Sequence, residues 1–401
     1  MTRHSLFTLS TLILSAIILL ASCEKILPPA PEENQLLDGP VEGLTGEQNA
    51  RFLKGDVAFN DEVFTTQTGL GPLFVATSCG SCHAGDGKGT PFTTLTRFGQ
   101  IDETGNPYLH LGAPQLQHRA IAGFKPESLP NGVTFSKFTP PANTGLGFLD
   151  FITDADILSN ADENDTDNDG ISGVPNWINR PHYTPIRLDA VPKNGKYMGR
   201  FGKKASAYDL LHQTANAYNQ DMGIASTFEP FDTYSGNEID PEVSNQTVQN
   251  VVFYLQTLKA PVPRGENKPE IVVGKQVFTQ IKCGACHKPE SKTGKSNIAS
   301  LSNKTFYAYT DLLLHDMGKG LDDGYTEGSA KTAEWRTPPL WGLGLSKNSQ
   351  GGQYFLLHDG RAKSIEEAIL LHGGEAQTSK NQYQALNSTE KQKLIKFLES
   401  L

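Results

Sequence analysis

The chain has 401 residues, enough for two or three domains of ordinary size. It carries 35 Lys and Arg against 44 Asp and Glu, a net charge of −9, which argues against a nucleic-acid partner or a polybasic membrane surface. Mild acidity leaves room for a basic redox protein as partner, and the hydrophobic share of 37% suits a folded chain.

Met1-Thr2-Arg3-His4 gives a basic start, an apolar run follows from Leu12 to Leu20, and Ala21-Ser22 precedes Cys23. This pattern predicts a secretory signal over 1–22, too short to span a bilayer, cut before a cysteine that takes lipid as in bacterial lipoproteins. The expected address is the cell envelope, periplasm-facing or on the surface, with Cys23 as the only membrane anchor. Residues 23–44 hold Pro28-Pro29-Ala30-Pro31 and few core-forming residues, and read as a flexible tether. Thr45-Gly46-Glu47-Gln48 has capping-box spacing and opens a helix through Phe52.

Cys79-Gly80-Ser81-Cys82-His83 is the attachment sequence of a c-type haem, with two thiols for the vinyl groups and an imidazole for the iron. Gly71-Pro72-Leu73-Phe74 leads into it. From Thr90 to Pro185 the chain is rich in Gly, Pro, Asn and Thr, which predicts loops and short helices packed over that haem. His110 and His118 lie in this stretch as candidate further ligands, and neither stands in a distinctive run. Asp165, Asp167, Asp169 and Ile171 follow the start of an EF-hand loop with Gly170 at the turn. Asn176 stands where a bidentate glutamate would close that loop, so the two readings are a weak calcium site and a solvated acidic turn.

Val248, Val251, Val252, Leu255 and Leu258 form a helical stripe ended by Pro261 and Pro263. The boundary between an N-terminal unit, 45–262, and a C-terminal unit, 263–401, is placed there. The second unit repeats the design: Gly274-Lys275-Gln276-Val277-Phe278 leads, on an amphipathic helix, into Cys283-Gly284-Ala285-Cys286-His287. Asp311 to Gly318 reads as an apolar helix bearing His315 and Met317, either core residues or rival ligands. Leu394, Leu398 and Leu401 predict a closing helix. With Cys23 lipidated and two pairs thioether-bound, none of the five cysteines remains for a disulfide, a zinc cluster or a catalytic thiol.

Several runs together resemble one family: Gly145 to Leu149, Asp167 to Gly173, Gly199-Arg200-Phe201-Gly202, Gln220 to Gly223, Asp311 to Gly318, Trp335 to Trp341 and His358-Asp359-Gly360-Arg361. The chain is similar to the di-haem oxidoreductases assigned a peroxidase function, relatives of bacterial di-haem cytochrome c peroxidases and of the di-haem maturase of methylamine dehydrogenase. The resemblance implies a mainly α fold of two cytochrome-c-like haem domains, the first enlarged by an irregular, loop-rich insertion. It implies two covalently bound haem c groups, His83 and His287 on iron, electrons entering from a redox donor protein at the C-terminal haem, and reduction of hydrogen peroxide or another small oxidant at the N-terminal one. A non-catalytic electron carrier serving another envelope protein is the rival reading.

The family's second C-terminal ligand, methionine or tyrosine, matches His372 here, in Glu366 to Gly374. Gln213 and Asp221 match segments that carry a peroxide-orienting glutamine and a proton-shuttling glutamate. Relatives hold calcium near the haem interface, which favours the ion at Asp165. Relatives also follow Gly-Arg-Phe-Gly with a tryptophan; here the residue is Lys203, and Trp177, Trp335 and Trp341 are core or relay. Trp335-Arg336 and His358 to Arg361 resemble the segments that brace the second haem, where Arg336 and Arg361 would meet haem propionates or make structural ion pairs.

Overall fold

The computed structural model describes residues 32–401, so the signal segment and Cys23 lie outside the described residues. Residues 32–36 hold a single 3-10 turn, Glu33–Gln35, and Leu37–Leu401 form a separate unit. Its helices include α1 (Gly46–Asn60), α2 (Leu210–Asn216), α3 (Asn245–Thr257), α4 (Pro269–Gln280), α5 (Ile365–Leu371) and α6 (Ser388–Ser400). Strands occur in two-stranded antiparallel pairs, and much of the chain between helices is irregular. Among the described residues no helix is long and apolar enough to cross a membrane.

Thr45 caps α1 reciprocally with Gln48, as the capping-box spacing predicts, and the helix runs on to Asn60. It crosses α3, whose apolar stripe buries Val248, Val251, Val252 and Leu255. Phe52 and Phe59 pack on Tyr254 with ring centres 5.0 and 5.5 Å apart. The same arrangement recurs between α4 and α6, where Phe278 meets Phe397 at 5.5 Å. Each such fully buried side chain contributes roughly 1.5–3 kcal/mol, which is what holds these short helices in place.

Both crossings depend on a glycine. A Cβ at Gly55 would sit 2.2 Å from the Asn250 carbonyl oxygen, and one at Gly274 would sit 2.1 Å from that of Lys393. The backbones therefore touch at one point in each pair, and no larger residue fits there.

This pairing revises the repeat drawn from the sequence. Phe278 is on helix α4, but Phe74 is on strand β1 (Leu73–Phe74), so the two lead-ins are not structural equivalents. The counterpart of α4 is α1, separated from Cys79 by strand and turn. Two large hydrophobic clusters result, with smaller ones beside them. The first gathers Phe52, Phe59, Leu149, Trp177, Tyr218 and α3, and reaches forward to Ile298, Phe306, Leu312 and Trp341. The second is built wholly from Ile271 onward.

Three strand pairs matter for the site. β1 pairs with β3 (Arg119–Ala120), β2 (Leu95–Phe98) with β4 (Phe135–Phe138), and β5 (Leu314–Asp316) with β6 (Glu334–Arg336). β5 overturns the helix expected over Asp311 to Gly318. Tyr309 and Leu312 adopt left-handed φ of 57° and 63°, which no α-helix accommodates, and the β6 edge supplies the backbone partners. Leu312, Leu313 and Leu314 are all buried, and a short apolar run enclosed on every side carries no period to read.

Candidate functional site

The two Cys-x-x-Cys-His segments close matching turns. Cys82 and His83 donate their backbone N–H groups to Cys79 O at 3.1 and 3.0 Å; Cys286 and His287 donate to Cys283 O, His287 at 3.0 Å. None of the four sulfurs is bridged. Burial pushes the Cys79 and Cys283 thiols up to about 12 and Cys82 to about 11. Thiols held in that form are poor nucleophiles, so thiol exchange does not suit these pairs.

Three imidazoles share one hydrogen-bonding arrangement. His83 Nδ1 donates to Pro141 O at 2.9 Å, His287 Nδ1 to Tyr309 O at 3.1 Å, and His372 Nδ1 to Ala368 O at 2.7 Å. A backbone carbonyl on Nδ1 fixes the tautomer and leaves the Nε2 lone pair free for a metal. Burial lowers His83 and His287 to about 4, with the carbonyl bonds opposing, so both rings are neutral at pH 7. His372 is also shifted down by burial, and a charge on it would disfavour one on His287. Neutral imidazoles with a free Nε2 beside unbridged sulfurs are the donor set that a c-type haem requires.

His315 differs. Its Nε2 meets Asp311 Oδ2 at 2.9 Å and its Nδ1 meets Glu375 Oε2 at 2.6 Å, with Cys286 Sγ 3.5 Å from the same nitrogen. Burial pulls its pKa down, but these partners outweigh it and hold the ring well above the usual range. No lone pair is left for iron. Met317 packs beside Leu321, Tyr325 and Trp335 in a small apolar cluster. The sequence left both residues as core or ligand, and the structure makes them an ion-paired and a packed residue. His110 and His118 are both exposed.

Asp221 comes to the first segment by an unusual route. Helix α2 runs into a π-helical turn, Ala217–Asp221, of the kind often found at functional positions. Val75 and Ala76 donate backbone N–H groups to Asp221 O at 2.6 and 3.0 Å, which ties that turn to the strand entering Cys79. The Asp221 charge in turn raises both Cys79 and Cys82. Burial pushes the Asp221 carboxyl up to about 6, against a hydrogen bond from Gln115 and the charge of Arg97.

Around it lies a polar network assembled from distant parts of the chain. Arg97, on β2, donates to Gln220 Oε1 at 2.7 Å and to Gln115 Oε1 at 3.1 Å, and pairs with Glu327 at 2.6 Å. Tyr325 OH donates to Glu327 at 2.9 Å. Gln115 then donates to Asp221 Oδ1 and, at 3.0 Å, to Gln220 O. Arg97 and Glu327 are 230 residues apart, so no local pattern could have joined them. Gln213 lies on α2 with a partly buried side chain that makes no hydrogen bond to this network. The carboxamide touching Asp221 belongs to Gln115.

Other candidates resolve as follows. Asp165 and Asp167 come within 4.8 Å of each other together with Asp162, which the sequence reading passed over. Asp169 stays outside that group and accepts from Ile171 N at 2.9 Å. Glu375 Oε2 also accepts from Ser172 N at 3.0 Å, linking this loop to His315 and so to Cys286. Arg361 pairs with Asp359 at 2.7 Å and Asp323 at 3.3 Å, which makes it a structural ion pair. Arg336 has no carboxylate and donates only to the carbonyls of Gly202 and Thr337. Trp335 stacks on His358 at 3.7 Å with Lys204 Nζ 4.0 Å from its ring centre, and Trp177 and Trp341 are buried in the first core.

In comparisons with known proteins, the family described as "Di-haem oxidoreductase, putative peroxidase" matches residues 133–401. No curated protein matches in sequence. Among solved structures, the chain is similar to hydrazine synthase of Kuenenia stuttgartiensis, with 13% identity over 94% of this chain and 98% of that one, at a TM-score of 0.36. It is also similar to a MauG-like protein associated with microbial copper homeostasis, with 15% identity over 94% of each chain, at a TM-score of 0.40.

Proposed function

The chain belongs to the di-haem oxidoreductase family, and on that premise we propose that it takes electrons at the Cys283–His287 segment and reduces peroxide at the Cys79–His83 segment. The fold proposed is two cytochrome-c-like haem domains, 45–262 and 263–401, the first carrying a loop-rich insertion. A c-type haem bound through each cysteine pair supplies one-electron redox chemistry and, where a coordination position stays open, a place for a small oxidant.

One asymmetry carries this reading. His287 has a second prepared imidazole, His372, within electrostatic reach, whereas the residue that acts on the first segment is a carboxylate, Asp221, with a pKa of about 6. Two imidazoles suit an electron relay that does not change its ligands. A carboxylate poised near 6 suits proton movement between the oxygens of a peroxide. Gln115 holds one Asp221 oxygen, and Arg97 holds Gln115 and Gln220 in turn. Gln213 remains the family-derived candidate for orienting the oxidant.

Three further readings go with this proposal. Lipid on Cys23 would keep the protein at the cell envelope, beside a small donor cytochrome or a similar redox protein. Asp162, Asp165 and Asp167 would hold a calcium ion, close to the Glu375 and His315 side of the second segment. The working oxidant is hydrogen peroxide or another small oxidant.

The test is a low-temperature paramagnetic resonance spectrum of the oxidised and mixed-valence protein, with and without peroxide. One low-spin signal that persists and one signal that changes with peroxide are expected. Two low-spin signals indifferent to peroxide would leave an electron carrier instead.

A further inference from the structure

Enclosed cations in this protein are matched, with one cluster excepted. Arg97 has Glu327, Arg187 has Asp150, Arg200 has Asp154, and Lys204 donates to three backbone carbonyls. Among the described residues Lys88 and Lys203 have no such match, and Arg336 has backbone carbonyls but no carboxylate. Arg336 is strapped to the Lys203 strand, its backbone N–H donating to Lys203 O at 3.0 Å and its Nε to Gly202 O at 2.9 Å. Lys88 and Arg336 both act on Lys203 through space, so the three charges share one neighbourhood. Among the described residues neither lysine ammonium has a hydrogen-bond or ion-pair partner.

The carboxylates nearest this cluster are already committed. Asp359, which opposes the shift on Lys203, is paired with Arg361; Asp311, which opposes the shift on Arg336, is paired with His315. Burial drives Lys203 down to about 7 and Lys88 to about 8. Three like charges, desolvated and unneutralised, are costly to hold together unless an anion joins them. Lys88 stands just beyond the short turn Ala84–Asp86 that follows His83, which sets the cluster beside the first haem segment, and the Lys203 charge acts on His83 accordingly.

We propose that Lys88, Lys203 and Arg336 form a carboxylate seat for the propionates of the haem held by Cys79, Cys82 and His83, and that their charge raises the reduction potential at that segment. This rests on the di-haem reading above. An ammonium or guanidinium on a propionate is a charge-assisted contact, and positive charge near iron favours the reduced state.

The experiment is a redox titration followed by visible absorption, on the full chain with covalent haem content measured first. Lys203→Met and Lys88→Met should each lower the reduced-to-oxidised ratio at the wild-type midpoint of the N-terminal haem by about fivefold, the effect of one nearby unit charge in a partly aqueous medium. The C-terminal haem should titrate as before, and Lys203→Arg should restore the wild-type value. Titrations identical to wild type in both methionine variants overturn the proposal. So does a spectral shift on adding phosphate or acetate that wild type shows and Lys203→Met loses, since the seat would then serve a diffusible anion. Absence of covalent haem at Cys79 and Cys82 would instead sink the di-haem reading.

Discussion

The role proposed for Asp221 asks one carboxyl to lose and return a proton, and its surroundings set the pH at which it can. Burial holds it at about 6, so it is charged at neutral pH and becomes protonated as pH falls through that value. Because the shift is upward, this group's contribution to folding is complete in acid and lost as pH rises through about 6. Under the proposed function its ionised form takes the proton, so kcat/KM for peroxide should climb through pH 6 and level off above it. Asp221→Asn should abolish that titration and cost about 10²–10⁴-fold in turnover, measured by steady-state oxidation of a reduced donor. Gln115→Leu should move the titration upward, since it removes the bond that favours the charged form, whereas Gln213→Leu should leave the titration in place. A second residue-scale prediction concerns His372. His372→Ala should turn the C-terminal low-spin signal high-spin and leave the N-terminal one alone, read in the same resonance spectra; an unchanged spectrum would remove His372 as a ligand.

At the scale of elements, the helix pairs α1 with α3 and α4 with α6 brace the two cysteine turns, and each hinges on a single glycine. Gly274→Ala sets two effects against each other. Alanine gains about 1 kcal/mol of helix propensity over glycine, but its Cβ would lie 2.1 Å from Lys393 O, and separating the helices costs more than that. Net destabilisation of roughly 1–3 kcal/mol is expected, seen as a lower midpoint in urea unfolding. The closing helices were legible in the sequence because their stripes are periodic, as was the start of α1 because a capping box is local. The strand at Leu314–Asp316 was not, because its neighbours in the sequence are buried on every side and only the distant partner Trp335 decides its conformation. Phe74 misled for a related reason: spacing to a cysteine says nothing about the backbone that carries it.

For the whole molecule, the two Cys-x-x-Cys-His segments stand out in the sequence because each motif lies within five residues, and the structure closes both in matching turns. Asp221 was reached only through a family resemblance, and Arg97, Gln115 and Glu327 not at all, because their meeting depends on loops 106 to 230 residues apart in the chain. The two pairs should also be separable by mutation. Replacing Cys79 and Cys82 together by alanine should halve the covalent haem found by alkaline pyridine spectroscopy, and peroxide turnover should vanish while the C-terminal signal persists. Retention of full haem content would refute attachment at that pair. The hydrophobic cores are less cleanly divided, because the first one borrows Phe306, Leu312 and Trp341 from beyond the second cysteine pair. Domain-by-domain expression therefore strips the first core of large apolar side chains, and the full chain is the proper object for every measurement above.

The π-helical turn at Ala217–Asp221 gives this site an evolutionary lever. Such a turn is an ordinary helix holding one residue more than its regular hydrogen-bond ladder counts. Losing any one residue there would restore the ladder and rotate everything after it by about 100°. Asp221 would swing away from the Cys79 turn without a single side chain being substituted. If Asp221 acts as proposed, one deleted residue in this turn would cost the activity, a change that residue-by-residue comparison of motifs would pass over.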